Sequence, residues 1–280
     1  EAFIPFTSVV KIDITEIPHE KIPALVDRFK SNKIKLVAEK IETYEEFNKF
    51  KDMGFDYFQG YFLAKPEIVR HRKLGPSSLT MMELLTLSSQ AKLNFDEVNK
   101  IIERDPSLTY LLLRFINNPM VNKRHKITSL KHALTFMGEV EVKKFISLLA
   151  LANLSDGQPT ELMQMALVRA KFCELVYTQL KGSDDPLKGF LTGLLSLLDA
   201  MMEQRIDDLV SKVPISDDVK DALCGSPGML RNCLTLAQFF ERAKWSGIQQ
   251  FSTKYDIKQS LLHSYYNEAI KWAKHIHKAA

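Results

Sequence analysis

The chain has 280 residues, of which 45% are hydrophobic and 26% charged, and its formal net charge is +4. This is ordinary globular composition, with enough chain to bury a core without staples and a basic bias too slight to point to nucleic acid or anionic lipid. Cys173, Cys224 and Cys233 are few and odd in number, so no disulfide framework is implied and a reducing cytoplasm fits.

The opening residues EAFIPFTSVV lack a basic segment and a small-residue cleavage site, so they do not read as a secretory signal. The missing initiator methionine points to a piece of something longer. Val9–Ile14 is predicted as a strand, and Ile22–Lys30 as a helix with Leu25, Val26 and Phe29 on one face. Ile34–Glu39 follows as a strand, Tyr44–Met53 as a helix closed by Gly54, and Tyr57–Leu63 as a third strand. This β-α-β-α-β order implies parallel pairing with right-handed crossovers. Three strands make only an arc of a barrel, with edges that need cover.

A boundary is predicted at RHRKLGPSS (Arg70–Ser78), with its Gly-Pro break. Beyond it strand signals cease. Asn94 with Glu97 starts a helix whose stripe is Val98, Ile101 and Ile102. Asp105-Pro106 opens another that buries Leu108, Leu111, Leu112, Phe115 and Ile116. Thr128 or Ser129 starts a helix that stops at Gly138, and Glu139–Leu154 follows directly. Its apolar run Phe145 to Leu154, interrupted by Ser147 and Asn153, falls short of the roughly 20 residues of a membrane span. Leu162–Leu180, Pro186–Met202, Gly228–Ala243 and Tyr255–His277 are the remaining helical patterns. The expected domains are 1–70, a linker at 71–78, and a helical domain at 79–280.

Chemistry concentrates in KLVAEKIET, where Glu39 and Glu42 follow an apolar strand. Carboxylates at a strand end can hold a hard divalent cation and orient its water, and Lys11 on a neighbouring strand could face a phosphate. The same residues also suit a polar strand terminus and a first-turn acid favoured by the helix dipole. VVKID, KLVAEKIET and GFDYFQGYFLAKP, in this order over residues 9–66, resemble the last third of the EAL domain, the bacterial barrel phosphodiesterase of cyclic di-GMP. The resemblance implies Lys11 as the active-site lysine and Glu39 as the acid acting on the attacking water or metal. Glu42 and Gln59 become nucleotide-site residues. The family's Glu-Ala-Leu signature, its metal-binding Asn and Glu and its Asp-Asp loop belong upstream of Lys11. Lys40 stands where the family has Gly, without that residue's close approach or permissive dihedrals. On these grounds the sequence predicts a vestigial site at Lys11, Glu39, Glu42 and Gln59, with no catalytic residue, no metal, no cofactor and no enzyme activity.

In the helical region, EVNKIIERDPSLTYLLLRFINNP, ITSLKHALTFMGEVEVKKFI and GFLTGLLSLLDAM resemble the HDOD domain, a helical relative of the HD phosphohydrolases, over about residues 76–270. In that register the His-Asp metal pair becomes Ser196 and Leu197. Asp199 could stand in for a lost ligand, but an interhelical or surface role is preferred. None of His19, His71, His125, His132, His263, His275 and His277 is followed by Asp. Glu139 and Glu141 open the helix after Gly138, where a DNA-reading helix needs polar or basic residues. Arg70–Lys73 and Lys123–Lys126 read as solvated loops, Met81, Met82, Met163, Met165, Met201 and Met202 as core filling. Gly189 and Gly193 allow one close helix approach.

The expected fold is mainly α: an all-helical HDOD domain preceded by a partial (β/α) barrel remnant with about three parallel strands. The expected function is a non-catalytic bacterial signalling scaffold in the cytoplasm. The alternatives are a cyclic di-GMP-binding effector, through Lys11, Glu42 and Gln59, or a fragment of an active cyclic di-GMP phosphodiesterase. Other signalling proteins are the expected partners, with cyclic di-GMP weak or absent, no membrane and no nucleic acid. A homodimer through strand edges or a helical face stays open.

Overall fold

The computed structural model describes residues 4–60, 62, 84, 86–88, 92–104, 106–117, 127, 129–154, 159–182 and 185–279. The chain divides into two compact units, Glu1–Glu67 and Ile68–Ala280. The fold is mainly helical, as expected, with parallel strands in the first unit.

That unit runs β1 (Val9–Asp13), α1 (Ile22–Ser31), β2 (Lys35–Ile41), α2 (Tyr44–Asp52) and β3 (Tyr57–Gly60). The strands pair in parallel in the order β1-β2-β3. Successive side chains on a strand point to opposite faces, so Ile12, Leu36 and Ala38 enter a core with Ile14, Ile22, Val26, Ile41, Phe50 and Phe55. Val9, Lys11, Tyr57 and Gln59 alternate to the other face and are exposed. Two polar devices fix the connections. Thr43 caps α2, its hydroxyl accepting from the Glu46 amide at 3.1 Å while Glu46 Oε2 accepts from the Thr43 amide at 3.2 Å. Asp56, just before β3, accepts from Lys30 Nζ (2.7 Å), Lys35 Nζ (2.8 Å) and the Leu36 amide (2.9 Å).

The second unit contains α3 (Phe95–Glu103), α4 (Pro106–Ile116), α5 (Leu130–Leu154), α6 (Thr160–Lys181) and α7 (Pro186–Leu194). After the 3-10 turn Leu195–Leu197 come α8 (Leu198–Met202), α9 (Ile206–Val210), α10 (Asp217–Leu223), α11 (Met229–Glu241), α12 (Trp245–Tyr255) and α13 (Gln259–Ala279). Asn94 caps α3, accepting from the amides of Asp96 and Glu97. Gly138 breaks α5 into two segments with φ 73° and ψ 171°, at the stop the sequence predicts. The expected single helix Pro186–Met202 is instead interrupted: the Ser196 hydroxyl donates back to the Gly193 carbonyl at 2.7 Å, and Leu197 leaves helical geometry at φ −121°. The short α9 and α10, and α12 as a separate helix, lie outside the predicted set.

Helix α6 is central, with residues 166–170, Phe172, Cys173 and Val176 all buried. Helices α7, α11 and α13 pack on it. It meets α7 at Gly189, where a Cβ would lie 2.7 Å from the Cys173 carbonyl oxygen, and at Gly193, where one would overlap the Arg169 carbonyl. Among the described residues, no helix is long and apolar enough to cross a membrane.

Candidate functional site

Strand alternation and register assemble the site. Glu39 pairs with Asp13 on one side and with Gln59 on the other. The Lys11 ammonium reaches across, donating to Glu39 Oε1 at 2.5 Å and to Gln59 Oε1 at 3.0 Å. Thus the structure brings Lys11, Glu39 and Gln59 together across β1, β2 and β3. Glu42 follows β2, where its amide donates to Glu46 Oε2 at 2.8 Å in the α2 cap.

Asp13 and Lys40 were not singled out together from sequence, yet they adjoin this group. Lys40 Nζ lies 2.5 Å from Asp13 Oδ2. Asp13 Oδ1 accepts from the Thr15 hydroxyl (2.7 Å) and amide (3.0 Å). The hydrogen bond from Lys40, then that from the Thr15 hydroxyl, pull the Asp13 carboxyl down to about 2, and Asp13 in turn raises Lys40. The signal that could have found Asp13 is its place two residues after Lys11, on the same strand face.

Lys40 is the extra residue of a β-bulge. Glu39 pairs with Gln59 and Ile41 with Gly60, leaving Lys40 unpaired in β2. Its φ of 63° is left-handed, a conformation that costs about 1–2 kcal/mol when a Cβ is present. The inserted residue lets Glu39 stay on the exposed side of the strand while Ile41 returns to the core, fully buried. The backbone passes so close here that a Cβ on Gly60 would overlap the Ile41 carbonyl. Lys40 therefore does adopt the dihedral expected only of Gly, and its ammonium turns to Asp13.

Among the described residues, no group of three or more His, Cys, Asp or Glu side chains is placed to hold a metal ion. Asp13 and Glu39 each already face an ammonium. These residues alone do not fit the divalent ion that the resemblance implies.

In the helical unit, Ser196 accepts from Arg169 Nη1 at 3.0 Å, and Leu197 is buried. Arg169 also grips Glu241 with two bonds of 2.7 Å. Burial pushes the Asp199 carboxyl up, against the Ala200 amide and the Arg169 charge. His263 stacks on Trp245, His132 meets Phe136 edge-on, His19 contacts Lys49 and Phe50, and His275 contacts the Lys271 carbonyl. Glu139 and Glu141 pair with Lys143 and Lys144. Met201 and Met202 are buried, and Met163 and Met165 half-buried. Arg70–Lys73, Lys123–Lys126, Met81, Met82, His71 and His125 lie outside the described residues.

The EAL domain family matches residues 6–66 and the HDOD domain family matches residues 74–212. The chain belongs to the EAL–HDOD proteins, with part of an EAL domain followed by an HDOD domain. It is similar to cyclic di-GMP phosphodiesterase CdgJ of Vibrio cholerae, 33% identical over 99% of this chain and 65% of that protein. It is also similar to the Bacillus subtilis protein named Uncharacterized protein YuxH, 28% identical over 99% of this chain and 68% of that protein. The chain thus spans about two thirds of the length of these relatives. No solved structure matches it.

The expectation that this is no enzyme is overturned, because a relative aligned along nearly the whole chain is named a phosphodiesterase. That expectation leaned on Lys40 as a misfit and on counting donors within these 280 residues. Lys40 is accommodated by the bulge, and Lys11, Glu39 and Gln59 stay hydrogen-bonded beside it.

Proposed function

We propose that the protein is a cyclic di-GMP phosphodiesterase of a bacterial signalling pathway, to whose site this chain supplies Lys11, Glu39, Glu42 and Gln59. The observation that carries the reading is the Lys11 ammonium held between Glu39 and Gln59 across three strands. Glu39 takes the proton of the attacking water as its oxygen bonds to phosphorus and the ester oxygen leaves. Lys11 orients that carboxylate and opposes the charge growing on the phosphoryl oxygens. Gln59 accepts from Lys11 through Oε1, which leaves its amide nitrogen to donate to the nucleotide; Glu42 lines the same end of β2. In this reading the HDOD unit presents its surface to other signalling proteins in the cytoplasm.

Hydrolysis of cyclic di-GMP by the intact protein tests the reading. Glu39→Gln and Lys11→Met are each expected to lower kcat by on the order of 10²-fold or more, with the fold unchanged by circular dichroism. Absence of hydrolysis by the intact protein, or full activity in Glu39→Gln, would refute it.

A further inference from the structure

We propose that Lys40 is a positioning residue: by pairing with Asp13 from the bulge of β2, it keeps Asp13 from competing with Glu39 for the Lys11 ammonium.

Two carboxylates lie within reach of Lys11. Asp13 is two residues along the same strand, on the same face, with its Cα roughly 6.6 Å away. Glu39 is Asp13's register partner on β2. A lysine ammonium carries three donors on a flexible stem and moves readily between nearby acceptors. In the structure it goes to Glu39 and Gln59. Asp13 is occupied at both oxygens, Oδ2 by Lys40 and Oδ1 by Thr15. Only the bulge lets Lys40 do this. At an ordinary strand position its side chain would fall on the core face, where Ile41 sits. A residue with a Cβ kept in a left-handed conformation beside a set of converging polar groups is the kind of outlier from which a functional role is argued. Here its effect is to divide two ammonium groups between two acids, one each.

A plain structural clamp and a direct substrate contact are the competing roles, and a suppressor separates them. Lys40→Met removes the charge and frees Asp13. Lys40→Gly does the same while accepting φ 63° without strain, so it controls for misfolding. Asp13→Asn in the Lys40→Met background removes the competing charge yet keeps the acceptor for Thr15. Crystal structures of the intact protein should show Lys11 Nζ on Asp13 in Lys40→Met and back on Glu39 in Lys40→Met/Asp13→Asn. The kinetic arm rests on the phosphodiesterase reading. In the intact protein, kcat should fall on the order of tenfold in both single variants with KM little changed. It should return to within about twofold of the parent in the double variant and stay there in Lys40→Arg. Lys11 still on Glu39 in Lys40→Met, a double variant no better than the single, or a rise in KM alone would each overturn the inference. If the unaltered intact protein does not hydrolyse cyclic di-GMP, the phosphodiesterase reading fails, and the crystallographic arm alone decides the role of Lys40.

Discussion

Consider the replacement Glu241→Gln. Arg169 in α6 is 1% exposed, and its guanidinium donates to Glu241 at the end of α11 through Nε and Nη2, both at 2.7 Å. Nη1 donates to Ser196 at 3.0 Å. Gln keeps the shape and one acceptor but removes the neutralising charge, and a guanidinium does not shed its proton at any accessible pH. Breaking such a buried pair from one side costs about 3–5 kcal/mol, whereas replacing both partners by apolar residues is often neutral. At about 2–4 °C per kcal/mol for a unit of this size, Tm should fall by about 6–20 °C. The assay is selective because both tryptophans of the chain, Trp245 and Trp272, lie in the helical unit. Trp272 packs edge-on against the buried ring of Phe190. Urea titration followed by tryptophan fluorescence therefore reads this unit alone, with Arg169→Met/Glu241→Leu as the paired variant. A loss below about 1 kcal/mol in Glu241→Gln, or a paired variant less stable than Glu241→Gln, would refute the reasoning.

Gly60→Ala should destabilise the N-terminal unit by about 1–3 kcal/mol, since the added Cβ meets the backbone of Ile41. The Ile41 methyl resonances should shift and broaden on mild heating while the tryptophan transition stays put. Burial pushes the Asp56 carboxyl up, but the hydrogen bonds from Lys30, Lys35 and the Leu36 amide outweigh it and hold the group well below the usual range. A depressed folded value means its stabilisation is complete above the unfolded value of about 3.9 and lost as pH falls below it. Acid titration of the Leu36 and Ile12 methyl signals should show this loss starting near pH 4. Asp56→Asn should lower stability at neutral pH and flatten the acid limb.

Much of the fold was legible because its signals are local. The short β-rich runs around VVKID and KLVAE gave the strands, the stripe Val98, Ile101 and Ile102 gave α3, and Gly138 gave the break in α5. That Lys11, Glu39 and Gln59 sit on three successive parallel strands also follows from the strand order read along the chain. Pro186–Met202 was misjudged, because its break depends on a hydroxyl turned back to Gly193. Tertiary structure alone decided that Lys40 is an inserted residue and that its charge is spent on Asp13, since pairing register with β3 is invisible along β2. It also decided that Arg169 finds Glu241, 72 residues away. Periodicity reports which face of its own element a side chain occupies; which charge it meets there is set by how distant segments pack.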